Sequence, residues 1–371
     1  MIFLTNQRPS LDPRSHGWGS RRAIGLFVAG SALAALGFGA TRLFDGLSTT
    51  YEKDLIFDVT CSTSSTSETV KMEMIRDGEP ADMSGRGGGG STQSFELSYT
   101  DTVLAASDGA PTKVQREFES VGGDMEMEGR DGPVERSLES AFEGLTITLS
   151  QGDDGVEVEV TDGEAPDGDR LEGHALRLPL DGLLPKEAVE VGGEWEIEGT
   201  AFLAAMGVGA QAKLIDRPER EGGGGRGGEG GGGGRRGRGG WQRGGGGGGG
   251  AMLAGGDWEI TATLTDETRE VDGVACAVIT IAAEVEGEPE AGGGGREGVE
   301  SESSYSGEFE AELLFCMEEA RPVMFEAKGS FELSTETSMD SERGSFEMSR
   351  VVETEMTASM KIEARKASDG E

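Results

Sequence analysis

Histidine is nearly missing from this 371-residue chain, which contains only His16 and His174. His16 precedes the one long apolar segment, so a histidine-containing triad or a multi-histidine metal site would depend on His174 alone. Cysteine is also scarce, and three residues are too few for a disulfide scaffold. Composition therefore argues against the commonest hydrolase and zinc chemistries.

The motifs of other enzyme classes are missing as well. No glycine tract is followed by Lys-Ser or Lys-Thr, as a phosphate-binding loop requires, and no serine lies in a Gly-x-Ser-x-Gly elbow. Acidic clusters at Asp153-Asp154 and from Asp162 to Asp169 suggest calcium, but Pro166 occupies a ligand position of the helix-loop-helix calcium site. We expect a protein that is not an enzyme and that uses no cofactor or metal.

Residues 1–40 have the composition of an export signal or an N-terminal membrane anchor. An apolar stretch covers residues 23–39, and it would span roughly 26 Å as a helix, which is short for an anchor. The positive charges before it are Arg8, Arg14, Arg21 and Arg22. Ser20, the Arg21-Arg22 pair and Ile24 resemble a twin-arginine signal, and the general secretory route fits equally well. We expect export to the periplasm or cell envelope, with the segment either cleaved after Gly39 or retained as an anchor.

The chain is strongly acidic, with a formal net charge of −37. Such a charge keeps a protein soluble and repels nucleic acid. Aromatic residues are few, yet the apolar residues alternate with Glu, Lys, Ser or Thr in many segments, which is typical of antiparallel strands with one wet face. The last three strands look the longest, and a bulge is expected near Val351-Val352.

The alternation predicts a mainly β fold: long antiparallel strands in a curved half-barrel or barrel-like sheet with little helix, or alternatively a two-sheet sandwich. Two hairpins are predicted at Gly192-Gly193 and Asp272-Gly273, where glycine-containing turns separate alternating runs. Thr200 is the expected cap of a short helix that runs through Met206.

A glycine-rich tract divides the pattern. We expect residues 41–216 and 251–371 to be the two parts of one β-domain, and residues 217–250 to be a disordered insertion, because a chain of mostly glycine cannot offset the entropy of ordering it. Candidate anion-binding residues in the insertion are Arg226, Arg235, Arg236, Arg238, Trp241 and Arg243. Arginine and tryptophan suit RNA, but export and the acidic body favour an anionic envelope polymer or an acidic partner. The alternative is a merely solubilising insertion.

The cysteines can be assigned to sheet faces. Cys61 shares the apolar face of Phe57 and Val59 and is expected to be a buried free thiol. Cys276 and Cys316 lie on the more polar faces of their strands, and we predict a disulfide between them if those strands are neighbours.

The stretch from Leu184-Pro185 to Trp195, with Val189-Glu190-Val191-Gly192, resembles exported bacterial β-rich proteins of unknown function, and Val271 to Ile279 resembles a later strand pair of the same proteins. The resemblance implies a curved half-barrel like that of lipoprotein carriers and brings no catalytic residues. We expect a β-shell protein whose concave face binds a lipophilic envelope ligand, or alternatively an interaction protein that acts through the Arg-Gly insertion.

Overall fold

The computed structural model describes residues 43–44, 46–81, 89–129, 132–166, 170–215, 252–289, 299–341 and 344–367. The described residues belong to one compact unit. The export segment and the Arg-Gly insertion lie outside them.

The fold is mainly β, and its main element is one antiparallel sheet of 13 strands that does not close on itself. The strands are β1 (Leu43–Phe44), β2 (Leu55–Arg76), β3 (Glu79–Pro80), β4 (Ser91–Ser107), β5 (Ala110–Gly129), β6 (Gly132–Leu138), β7 (Thr146–Gln151), β8 (Val156–Asp162), β9 (Val189–Glu190), β10 (Glu194–Glu196), β11 (Asp257–Val271), β12 (Val274–Gly287), β13 (Val299–Cys316), β14 (Arg321–Ser341) and β15 (Gly344–Lys366). The order across the sheet is β10-β11-β12-β13-β14-β15-β2-β4-β5-β7-β8, with β3 beside β2 and β6 beside β5. Strands β1 and β9 form a separate pair.

Local turns build most of this order, because consecutive strands pair through short connections. The predicted Asp272-Gly273 hairpin is confirmed: both residues have positive φ, and Val271 pairs with Val274. The first long strand and the last strand of the sequence are neighbours in the sheet, because β15 pairs with β2 along the whole length of β2. The predicted bulge is present there, since the register shifts between Val351 and Val352 and leaves Val70 of β2 as the extra residue.

The expectation that the last three strands are the longest is wrong. Strand β2 has 22 residues, compared with 18 in β13. Its middle, from Ser62 to Ser67, consists of Ser and Thr, so apolar alternation could not reveal one continuous strand.

One face of the sheet, called here the inner face, carries the core. Helices α1 (Gly199–Ala205) and α2 (Val208–Leu214) and a 3₁₀ turn (Pro179–Leu183) contribute buried residues to this core. Phe202 of α1 packs edge-on against Phe309 of β13 and Phe325 of β14, with ring centroids 6.3 and 6.1 Å apart. The helices therefore cover the part of the inner face near these side chains. Within the described residues, no helix is long and apolar enough to cross a membrane.

Two local predictions are wrong. The strands around Gly192-Gly193 do not pair with each other: β9 pairs with β1, and β10 pairs with β11, although Gly192 does have positive φ. Thr200 is not a cap, because α1 begins one residue earlier and Glu198 is its N-cap. In the predicted hairpin, pairing with other strands replaced pairing between β9 and β10. At the start of α1, the Glu198 carbonyl accepts the first hydrogen bonds, from the Ala201 and Phe202 N–H groups.

Candidate functional site

Part of the inner face lies beyond the helical cover and carries apolar side chains that belong to neither hydrophobic core of the described chain. We call it the distal inner face. Its partly exposed apolar residues are Met72, Met74, Met125, Met127, Phe346, Met348 and Val352. The register between β2 and β15 pairs Met74 with Met348, whereas Met125 and Met127 lie on β5, which β4 separates from β2. These residues form a candidate binding surface.

The cover ends at a defined place. Thr63 Oγ1 donates to the Met206 carbonyl at 2.8 Å, which fastens the end of α1 to β2. Beyond that point, Phe331 and Met356 are the last large buried side chains of β14 and β15. The distal inner face continues the same two strands outward.

Hydroxyl groups accompany the apolar residues on this face. Ser67 and Thr354 share a hydrogen bond of 2.9 Å across β2 and β15, and Ser303 and Thr335 share one of 3.2 Å across β13 and β14. Because these hydroxyls satisfy one another, they present a weakly polar surface between the methionines. The face is therefore amphipathic.

The opposite side of the sheet, the outer face, is acidic. Glu353 of β15 lies directly between Glu68 of β2 and Glu332 of β14. Glu284 of β12 similarly lies between Glu259 and Glu308. Like charges in directly opposed positions repel each other. The sheet thus separates an acidic surface from an amphipathic one.

A buried ion pair lies on the covered part of the inner face, and sequence analysis missed it. Arg116 of β5 donates two hydrogen bonds to Asp101 of β4, at 2.7 and 2.8 Å, and its guanidinium lies 4.4 Å from the centre of the Tyr99 ring. Burial alone would lower the pKa of Arg116, but the Asp101 carboxylate together with Tyr99 and Tyr51 more than offsets this, so the pKa is raised overall. Each charge of this pair is neutralised by the other, so the pair is structural.

Asp181 joins the 3₁₀ turn to the segment before β2. Its carboxylate accepts from Thr49 Oγ1 and from the Tyr51 hydroxyl at 2.6 Å. The same hydroxyl accepts from the Leu178 backbone N–H at 2.9 Å. Burial raises the pKa of Asp181, and burial together with Asp181 raises that of Tyr51. These contacts position the cover and are structural.

His174 packs against both the Phe118 and Phe142 rings, each with its centroid 6.0 Å away, and those two rings contact each other with centroids 5.3 Å apart. Its Nε2 is buried and has no hydrogen-bond partner among the described residues. Burial, followed by the charges of Arg116 and Lys213, lowers the pKa of His174 to about 4. A neutral imidazole packed in this way serves as a core side chain.

The structure joins two of the residues that sequence analysis singled out. Cys276 and Cys316 are cross-strand partners on β12 and β13, and a disulfide links them. We had expected polar surroundings for these cysteines, but both are buried in a second small core on the outer face. Val278, Leu314 and Val323 complete that core. Cys61 is confirmed as a buried free thiol, and burial raises its pKa to about 11.

The other predicted site residues lie outside the described residues. They are Arg21, Arg22, Arg226, Arg235, Arg236, Arg238, Trp241 and Arg243. Asp153 and Asp154 lie in the turn between β7 and β8. Among the described residues, no group of three or more His, Cys, Asp or Glu side chains is arranged to hold a metal ion.

The described surface includes a depression bordered by Asp257, Glu286, Glu288 and Glu332 and another that lies mainly on the outer face, beside Glu96 and Lys361. Neither includes a residue of the distal inner face.

Comparison with family models and with curated proteins finds no match for this chain.

Proposed function

We propose that this protein is an exported, non-catalytic β-shell protein of a bacterial cell envelope that binds an amphiphilic ligand on the distal inner face. The observation that carries the proposal is the group of partly exposed methionines, with Phe346 and Val352, that packs into neither core of the described chain. Methionine is flexible and polarisable, so such a surface adapts to an acyl chain or another irregular apolar group. The Cys276–Cys316 disulfide supports export, because disulfides persist in oxidising compartments.

The test is binding of the neutral fluorophore N-phenyl-1-naphthylamine to the full chain. Replacing Met74 and Met348 together by Gln removes a cross-strand apolar pair from the distal inner face and should weaken binding at least fivefold. The matched control replaces Ile75 and Val351 by Gln, since these residues lie on the same two strands but on the outer face.

The control pair should change the dissociation constant by less than twofold. Circular dichroism and a melting curve verify that both variants fold. Failure of the unaltered protein to bind the fluorophore, or an equal loss in the two double variants, would contradict the proposed site.

A further inference from the structure

One charged residue interrupts the apolar row of β15 on the distal inner face. Arg350 has Met72 of β2 and Thr335 of β14 as its direct cross-strand neighbours. Met348 and Val352 are the next residues on the same side of β15. The guanidinium of Arg350 therefore lies within the amphipathic surface described above.

Arg350 is poorly satisfied. Its Nη2 donates to Thr69 Oγ1 at 3.0 Å, but its Nε is buried without a hydrogen-bond partner, and no carboxylate of the described chain forms an ion pair with it. By contrast, Arg365 on the same strand donates two hydrogen bonds of 2.9 Å to Asp58. A buried donor without a partner is unfavourable, because it has lost its contact with water and gained no other acceptor. In a chain with 70 acidic and 33 basic residues, the missing carboxylate partner is the feature to explain.

The distribution of carboxylates over the two faces explains why Arg350 lacks a carboxylate partner. On β2, β14 and β15, the described inner positions beyond the cover are occupied by Ser65, Ser67, Thr69, Met72, Met74, Arg76, Thr335, Thr337, Met339, Phe346, Met348, Arg350, Val352 and Thr354. None of these is acidic, whereas Glu68, Glu73, Glu332, Glu336, Glu347, Glu353 and Glu355 lie on the outer side of the same strands. An anion is repelled by the outer face and is met on the inner face by a guanidinium with an unused donor.

We infer that the ligand of the distal inner face is a lipid with an anionic headgroup, which Arg350 binds while the methionine surface holds the acyl chain. The inference rests on the proposed function and adds the class of ligand to it. Arg350 selects the headgroup, and the hydroxyls of Thr69 and Thr335 lie beside it on neighbouring strands. A guanidinium suits this role because its planar fork matches carboxylate and phosphate oxygens.

The test compares two lipids that share one 14-carbon acyl chain: lysophosphatidylglycerol, which is anionic, and lysophosphatidylcholine, which is zwitterionic. Calorimetric titration of the full chain, below the micelle concentration and at physiological salt, should give at least tenfold tighter binding of the anionic lipid. Arg350→Gln should reduce that preference to less than threefold, mainly by weakening the binding of lysophosphatidylglycerol. Arg350→Lys should retain part of the preference, and Arg365→Gln, on the same strand, should retain all of it.

The outcomes separate the inference from the proposed function. Equal affinity for the two lipids in the unaltered protein would overturn the anionic headgroup and leave the amphiphile site intact. A preference that survives in Arg350→Gln would overturn the assignment to Arg350. Binding of neither lipid would overturn the proposed function and the inference with it.

Discussion

Arg116 and Asp101 are direct cross-strand partners on β5 and β4, and the two residues form a buried ion pair through two hydrogen bonds. Both are nearly inaccessible, at 7% and 2% exposure. Removing one partner leaves the other charge buried and uncompensated. Asp101→Ala should therefore lower the free energy of unfolding by about 3–5 kcal/mol in urea denaturation.

An exposed ion pair serves as the control for that measurement. Asp58→Ala, which removes the partner of Arg365 at the surface, should cost less than about 1 kcal/mol. Replacing Asp101 and Arg116 together by leucine should recover much of the loss, because no buried charge then remains. A cost for Asp101→Ala no larger than that for Asp58→Ala would contradict the burial of the pair.

His174 predicts a specific dependence of stability on pH. Burial lowers its pKa to about 4 in the folded state, whereas its ordinary value is about 6.5. Between these values only the unfolded chain binds the proton, so stability is full above pH 6.5 and falls as the pH drops to 4. The contribution is about 3 kcal/mol across that window.

The variant His174→Phe isolates this contribution from the many carboxylates, since a phenyl ring keeps an aromatic contact with Phe118 and Phe142 and does not titrate. Unfolding at pH 7 and pH 4 should show a smaller loss of stability in the variant than in the unaltered protein. Equal losses in both proteins would show that the imidazole is not buried in its neutral form.

Two glycines near the join of α1 and α2 should respond in opposite directions to alanine. Gly207 has φ +73°, and a Cβ there would lie 2.6 Å from the Cys61 Sγ. Gly207→Ala should cost about 2 kcal/mol or more, from the left-handed backbone and the contact together. Gly209 lies in α2 with no neighbour within 4 Å of such an atom, so Gly209→Ala should stabilise by up to about 1 kcal/mol. Thermal unfolding of the two variants checks the sign of each effect.

The disulfide between Cys276 and Cys316 should stabilise the sheet even though it links residues only 40 apart in sequence. Loop-closure entropy predicts about 2–4 kcal/mol for a loop of this size. Urea denaturation with and without reductant should therefore show a lower midpoint after reduction. The Cys276→Ala/Cys316→Ala variant should show the reduced midpoint under both conditions, and an unchanged midpoint in the unaltered protein would contradict the pairing.

The sequence predicts the fold class well because one face of the sheet is buried. Period-2 alternation follows directly from that burial, as in the Met356, Ala358 and Met360 row of β15. It fails where a strand continues through hydroxyl residues, as between Ser62 and Ser67. Alternation also fails where a short strand pairs with a strand that is distant in sequence, as β9 does with β1.

The candidate site could be predicted only in part from the sequence. Alternation places Asp101 and Arg116 at apolar-face positions of their strands, and two opposite charges in such positions could have been recognised as a buried pair. Arg350 interrupts the apolar row of the last strand in the same way, but its unpartnered Nε depends on which strands flank it. The limit of the helical cover, which decides that Met72 and Met348 are left partly exposed, is a tertiary property with no local signal.

The most direct measurement is native mass spectrometry of the full-length protein purified from the envelope of the cells that make it, followed by denaturation and lipid extraction. The proposed function predicts a bound mass that is released on unfolding, and the Arg350 inference predicts that the released molecule is an anionic lipid. A clean protein mass, together with no uptake of added 14-carbon lysophosphatidylglycerol or lysophosphatidylcholine, would contradict a ligand site on the distal inner face.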